Sequence, residues 1–230
     1  MLKTHILLVK TSLTTALTCV QDGLKALKSN TAKSGLETEA SIEVVRKDLI
    51  SIISLIYSYS TRLWIALGKQ PPTPSAAIPT LQDITNHVRS LYGCAIFFRD
   101  MEGKTLAAEV HTSATEILLA MQVLLEGYSA QERGENLMRK TGALHEACER
   151  GKNLSVDNRE AVLKIWKQDG DAVKDAIKEL NALLNPQPAD GDLDGWDELL
   201  GEEAGGTELS EGDISTIKKV GTRRIMGQTH

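Results

Sequence analysis

The residues best suited to chemistry in this sequence are the histidine, cysteine and acidic side chains of His145-Glu146-Ala147-Cys148-Glu149. Two histidines one helical turn apart, with a glutamate between them, are how a single helix holds zinc and supplies a base. Here Glu149 stands where the second histidine is required. Cys148 falls on the same helix face as His145, but two ligands do not close a tetrahedral shell. A helical metal site would need His87, His111 and His145 to converge, or His145 and Cys148 to meet carboxylates. The plainer reading, a partly exposed histidine beside a buried cysteine, is preferred, and no metal or cofactor is expected.

The other arrangement with chemical content is Asp190-Gly-Asp192-Leu-Asp194-Gly195, whose alternate carboxylates followed by glycine resemble the start of a calcium loop. The closing position of such a loop, which needs a bidentate glutamate, is Gly201, and Glu202 comes one residue late. Pro186 and Pro188 also oppose the entering helix. The stretch therefore reads as a solvated acidic linker. No G-x-S-x-G elbow occurs, Gly142, Gly151 and Gly170 are isolated, and no phosphate-binding glycine pattern is present. Asp169 and Asp171 read as a solvated helix face. No catalytic residue is assigned.

Charge is distributed unevenly behind the net value of −5. Residues 185–213 hold ten Asp and Glu and no Lys or Arg, whereas residues 1–184 are nearly balanced. No basic face marks a nucleic-acid surface, so direct nucleic-acid binding is not expected. Cys19, Cys94 and Cys148 are few, odd in number and widely spaced, which fits a reducing compartment. The apolar run Ile6–Val9 is cut off by Lys10 before it reaches signal-peptide length. The most apolar stretch, Leu49–Leu67, contains Arg62 and several hydroxyl residues, and reads as a buried helix rather than a membrane span. Arg62 itself is expected to carry its guanidinium past the apolar stem to a carboxylate or to solvent.

The elements that must position these side chains are all helical, because the apolar residues recur at three- and four-residue intervals throughout. The first helix covers about 3–28, with Leu13, Leu17, Val20, Leu24 and Leu27 on one face. The second runs from about Thr38 to Leu67 with so wide an apolar stripe that it reads as the central helix. Gly68 suits its C-terminal cap, and Pro71, Pro72, Pro74 and Pro79 break the chain. Further helices are expected over Leu81–Arg99, Thr105–Tyr128 and Leu137–Arg150. A sixth starts near Asp157 or Ser155, and the spacing of Asp157 to Glu160 is that of a capping box. Short loops between long helices predict an antiparallel up-and-down bundle of five to six helices over residues 1–184. Residues 185–213 are expected to be a disordered acidic linker, and 214–230 a short helix with a patternless tail.

Trp196, Asp197, Glu198 and Leu199 form an aromatic and apolar knot inside the acidic tract. Either it is a docking segment that orders on a partner or it packs back on its own bundle. These four residues are the candidate partner-binding site.

Taken together, Ser60-Thr-Arg-Leu-Trp-Ile-Ala-Leu-Gly-Lys69, Pro74-Ser-Ala-Ala-Ile-Pro79, Gly103-Lys-Thr-Leu106, Thr141-Gly-Ala-Leu-His-Glu-Ala-Cys148, Asn158-Arg-Glu-Ala-Val-Leu163 with Trp166, and Asp194-Gly-Trp-Asp-Glu-Leu199 resemble the cyclin-D-binding protein family. Its members are described as interacting with cyclin D and with the adaptor called Grap. The resemblance implies an all-helical protein without enzymatic activity. It would restrain cell-cycle progression by binding cyclin D-like or helix-loop-helix regulators in nucleus and cytoplasm. It also implies a second helical domain, which this chain reads as lacking, in the manner of a truncated product. Apolar surface left uncovered there would favour self-association. The competing expectation is a structural adaptor in which a vinculin-like bundle links cytoskeletal or adhesion components.

Overall fold

The structure, a computed structural model, describes residues 2–29, 41–69, 71–99 and 103–184. Its helices are α1 (Leu2–Lys28), α2 (Ile42–Leu63), α3 (Pro74–Arg99), α4 (Lys104–Ser129), α5 (Glu135–Lys152) and α6 (Asn158–Leu184), and α2 continues into one wide π-type turn, Trp64–Gly68. No strand occurs among the described residues. The expectations for the acidic linker at 185–213, the tail at 214–230, the calcium-like loop and the four residues Trp196, Asp197, Glu198 and Leu199 lie outside the described residues.

Two compact units divide the chain, Met1–Lys164 and Ile165–His230. In the first, α1 packs on α3 and α4, α2 on α3 and α5, α3 on α4, and α4 on α5. The periodic residues of α1 enter the core as expected, with Leu13, Val20, Leu24 and Leu27 buried. Leu49, Ile53, Ile56 and Leu63 of α2 meet Leu81, Ile84, Leu91 and Phe98 of α3 and Ile117, Leu118, Met121 and Leu124 of α4 in one continuous cluster. Each such side chain, fully withdrawn from water, stabilises the fold by roughly 1.5–3 kcal/mol. Among the described residues, Ile42–Gly68 is the one helical stretch long and apolar enough to cross a membrane. Its inner face is the apolar seam just described.

Three local expectations are corrected. The central position expected of α2 falls to α3 and α4, because α2 packs on two helices, α3 and α5, whereas α3 touches α1, α2 and α4 and α4 touches α1, α3 and α5. The start of α3 lies at Pro74, seven residues before the expected Leu81. Proline is tolerated in a first turn, where no intrahelical partner awaits its missing N–H. That places Pro74 comfortably and Pro79 one turn inside. Thr73 supplies its carbonyl to Ala76 and Ala77, which starts the helix. Gly68 does not act as a left-handed cap, and Lys69 beyond it is extended at φ −93°. The Trp64 ring lies over the Gly68 backbone, so that a β-carbon there would fall 2.4 Å from the ring. A close approach, rather than a turn, requires that glycine.

At α6 Asp157 caps the helix as its spacing predicts, while Glu160 reaches back one residue beyond the cap. The Asp157 carboxylate accepts the Glu160 N–H at 2.8 Å, and the Glu160 carboxylate accepts the Val156 N–H at 2.6 Å.

Candidate functional site

The seam between α2 and α5 brings together two of the segments singled out in the sequence. Ser60 and Thr61 sit at the end of α2, and each hydroxyl donates to the Tyr57 carbonyl, at 2.7 and 3.1 Å. His145 of α5 places its Nε2 3.1 Å from Ser60 Oγ and 3.2 Å from Thr61 Oγ1. Since both hydroxyl hydrogens are committed to the carbonyl, the imidazole Nε2–H is the donor in this cluster. The imidazole stacks on the Tyr57 ring with centroids 3.9 Å apart. The Lys152 ammonium lies 4.8 Å from the centroid of that tyrosine ring and pairs with Glu149 at 2.6 Å.

Burial holds the His145 pKa below its ordinary value, with Glu149 acting in the opposite sense and Lys152 adding to the lowering. The ring is therefore neutral at physiological pH. A serine beside a histidine has the outline of a nucleophile and its base. Ser60 is fully buried, and its proton is directed to the Tyr57 carbonyl rather than to the imidazole. The pair is a hydrogen-bonded clamp between two helices. His145 is half-buried beside buried Cys148, as expected.

The other histidines lie elsewhere. His87 stacks on Tyr59 at 5.2 Å, and the Arg62 guanidinium lies 4.9 Å from the centroid of that tyrosine ring. Arg62 is exposed, in line with a guanidinium that reaches solvent, and it lies over the ring of Tyr59 on its own helix. His111 Nε2 bonds the Leu27 carbonyl at 3.0 Å. His87, His111 and His145 thus serve different contacts, and among the described residues no three metal-ligating side chains come together. Burial raises the pKa of all three thiols, that of Cys148 to about 12, so none is poised as a thiolate. Asp171 pairs with Lys174 on the exposed face of α6.

A second clamp joins two further sequence segments. Asn158 Oδ1 accepts the backbone N–H groups of Thr105 and Leu106, both at 3.0 Å, and so caps α4 from a distance. Gly103 precedes that cap at φ +115°, where a β-carbon would lie 2.9 Å from Asn158 Cβ. Arg46 of α2 then fastens the loop leading to α6, donating to the carbonyls of Leu154 and Ser155 at 2.5 and 2.8 Å. Sequence reasoning missed Arg46, because a lone arginine on a helix gives no sign of a loop more than a hundred residues away.

A cleft along α1 and α3 is lined by Thr11, Thr15, Thr18, Cys19, Arg89 and Tyr92, among others. The hydroxyls of Thr11, Thr14 and Thr15 donate to their own helix at Leu7, Lys10 and Thr11. That leaves the cleft mainly acceptors from those three side chains.

Surface exposure of apolar groups is concentrated on α6, where Trp166 is 77% exposed. A sequence pattern identifies such a residue as one face of a helix but carries no sign of what covers it.

A family model described as Grap2 and cyclin-D-interacting, N-terminal, matches residues 48–185. Among curated proteins, the cyclin-D1-binding protein 1 homolog of Danio rerio is 24% identical over 98% of this chain and 64% of its own length. The cyclin-D1-binding protein 1 of Bos taurus is 26% identical over 54% of this chain and 36% of its own length. The chain thus spans less than two thirds of the length of these relatives. No solved structure matches it.

Proposed function

Because this chain belongs to the Grap2 and cyclin-D-interacting family, of which residues 48–185 match the N-terminal model, we propose that it is a non-enzymatic regulator that binds a D-type cyclin or a helix-loop-helix protein and thereby restrains cell-cycle progression. The observation that carries this reading is the family match, together with two similar proteins whose names are those of cyclin-D1-binding proteins. Several family-resembling segments form the α2–α5 and α4–α6 clamps, so their role is to hold the helices that present a surface. Occupancy of a partner's surface by that bundle is the mechanism. The partners belong to the nucleus and cytoplasm, which is where we place the chain.

A pulldown from nuclear and cytoplasmic extract with residues 1–230, identified by mass spectrometry, tests the reading. Recovery of a cyclin or a helix-loop-helix protein is expected. A parallel version carrying Trp196→Ala and Leu199→Ala tests docking through Trp196, Asp197, Glu198 and Leu199, and loss of the partner there assigns it to the acidic tract. Failure of the folded chain to recover either class from both extracts would contradict the proposal.

A further inference from the structure

We propose that α6 is a self-recognition helix, pairing antiparallel with α6 of a second copy of this chain. Trp166, Asp169, Val173, Ala176 and Leu180 follow one another at alternating three- and four-residue intervals. That alternation is the spacing of a coiled-coil seam, which keeps one stripe facing a partner helix. Ile177 widens the stripe on one side and Ile165 on the other.

The stripe is open. Ile165 is 46% exposed, Ile177 43% and Leu180 39%, beside the much more exposed Trp166. A large aromatic on a helix face, in register with exposed isoleucine and leucine, marks an interaction surface more often than a solvated one.

Charge identifies the occupant. The N-terminal part of α6 carries Arg159 and Lys167 against Glu160, with Lys164 already held by Glu109 of α4, and stays net positive. The C-terminal part carries Asp169, Asp171, Asp175 and Glu179 against Lys174 and Lys178 and is net negative. A second α6 laid antiparallel sets each positive half against a negative one, whereas a parallel copy sets like on like. The complementarity is contained within one helix, so an identical helix is the partner it matches. Such an interface is isologous and closes as a dimer of two-fold symmetry. Asp169 is the polar seam position, of the kind that fixes register at a cost in stability.

Sedimentation equilibrium of residues 1–230 over a concentration series tests this. A concentration-dependent dimer is expected. Trp166→Glu with Leu180→Glu should weaken it at least about tenfold, leaving unchanged the helical circular dichroism and the thermal midpoint read at concentrations where both chains are monomeric. Lys167→Glu should also weaken it, and adding Asp175→Lys should restore it, since the swap rebuilds opposite charges across an antiparallel pair. A chain that stays monomeric up to roughly 100 μM overturns the proposal, and would leave the further length of the relatives as the stripe's occupant. A dimer indifferent to the Trp166 and Leu180 substitutions overturns it as well.

Discussion

At the scale of single residues, His145 determines how the α2–α5 seam responds to acid. Its pKa lies below the value of 6.5 that an exposed histidine shows, chiefly through burial. Between that lowered value and 6.5 the unfolded chain binds more protons than the folded one, so stability falls as pH drops through this window and is fully present above it. Thermal unfolding followed from about pH 7.5 to pH 5 should therefore show a steeper loss for the natural chain than for His145→Gln, which cannot titrate. Equal slopes would mean that the imidazole is not the group that senses acid. The sequence placed His145 beside Cys148 on one helix and read them as structural. The stack on Tyr57 and the bonds to Ser60 and Thr61 were not legible, because they join residues more than eighty positions apart.

Between elements, the Asn158 cap on α4 and the Gly103 that admits it act as a unit. Asn158→Ala leaves two backbone donors without their acceptor and should destabilise the fold by about 1–2 kcal/mol, read from denaturant unfolding. Gly103→Ala adds a β-carbon at a left-handed φ and beside Asn158, and should cost about 1–3 kcal/mol. In the double variant the two costs should fall only a little short of their sum, since the crowding against Asn158 Cγ and Oδ1, each 3.1 Å from the added carbon, is relieved while that against Cβ, which alanine keeps, persists. Additive costs would separate the two residues. A contrast of helices gives a second expectation: Ile56→Ala, fully buried in α2, should cost about 2–5 kcal/mol, while Ile177→Ala on α6 should stay within about 0.5 kcal/mol at concentrations where the chain is monomeric. Comparable losses would mean that Ile177 is packed like a core residue.

The helical character of these elements was legible in their apolar spacing, and so was the cap that Asp157 supplies to α6. Spacing does not specify which helices become neighbours, however. The width of the α2 stripe pointed to the centre of the bundle, yet part of that width, Leu55 and Ile65, faces water. The α3 start was hidden by Pro74 and Pro79, since proline reads as a breaker, yet Pro74 opens the first turn, where proline is tolerated, and the helix carries Pro79 one turn inside. The π-type turn at Trp64–Gly68 gives no composition signal, and its glycine was read as a cap because close approach by a ring four residues away is invisible in one dimension.

For the molecule as a whole, family membership was legible in scattered segments, and the structure explains why several of them are informative as a set. Ser60 and Thr61 meet His145, and Gly103 meets Asn158, so these segments encode two joints of one helical bundle. Those joints hold the helices together and leave the exposed residues of the bundle unconstrained. The direct measurement is calorimetric titration of the folded chain into a purified D-type cyclin. We expect saturable binding with a dissociation constant below about 10 μM. No heat and no complex at roughly 100 μM, with the chain helical and cooperatively folded, would contradict the proposal that this chain is a cyclin-binding regulator.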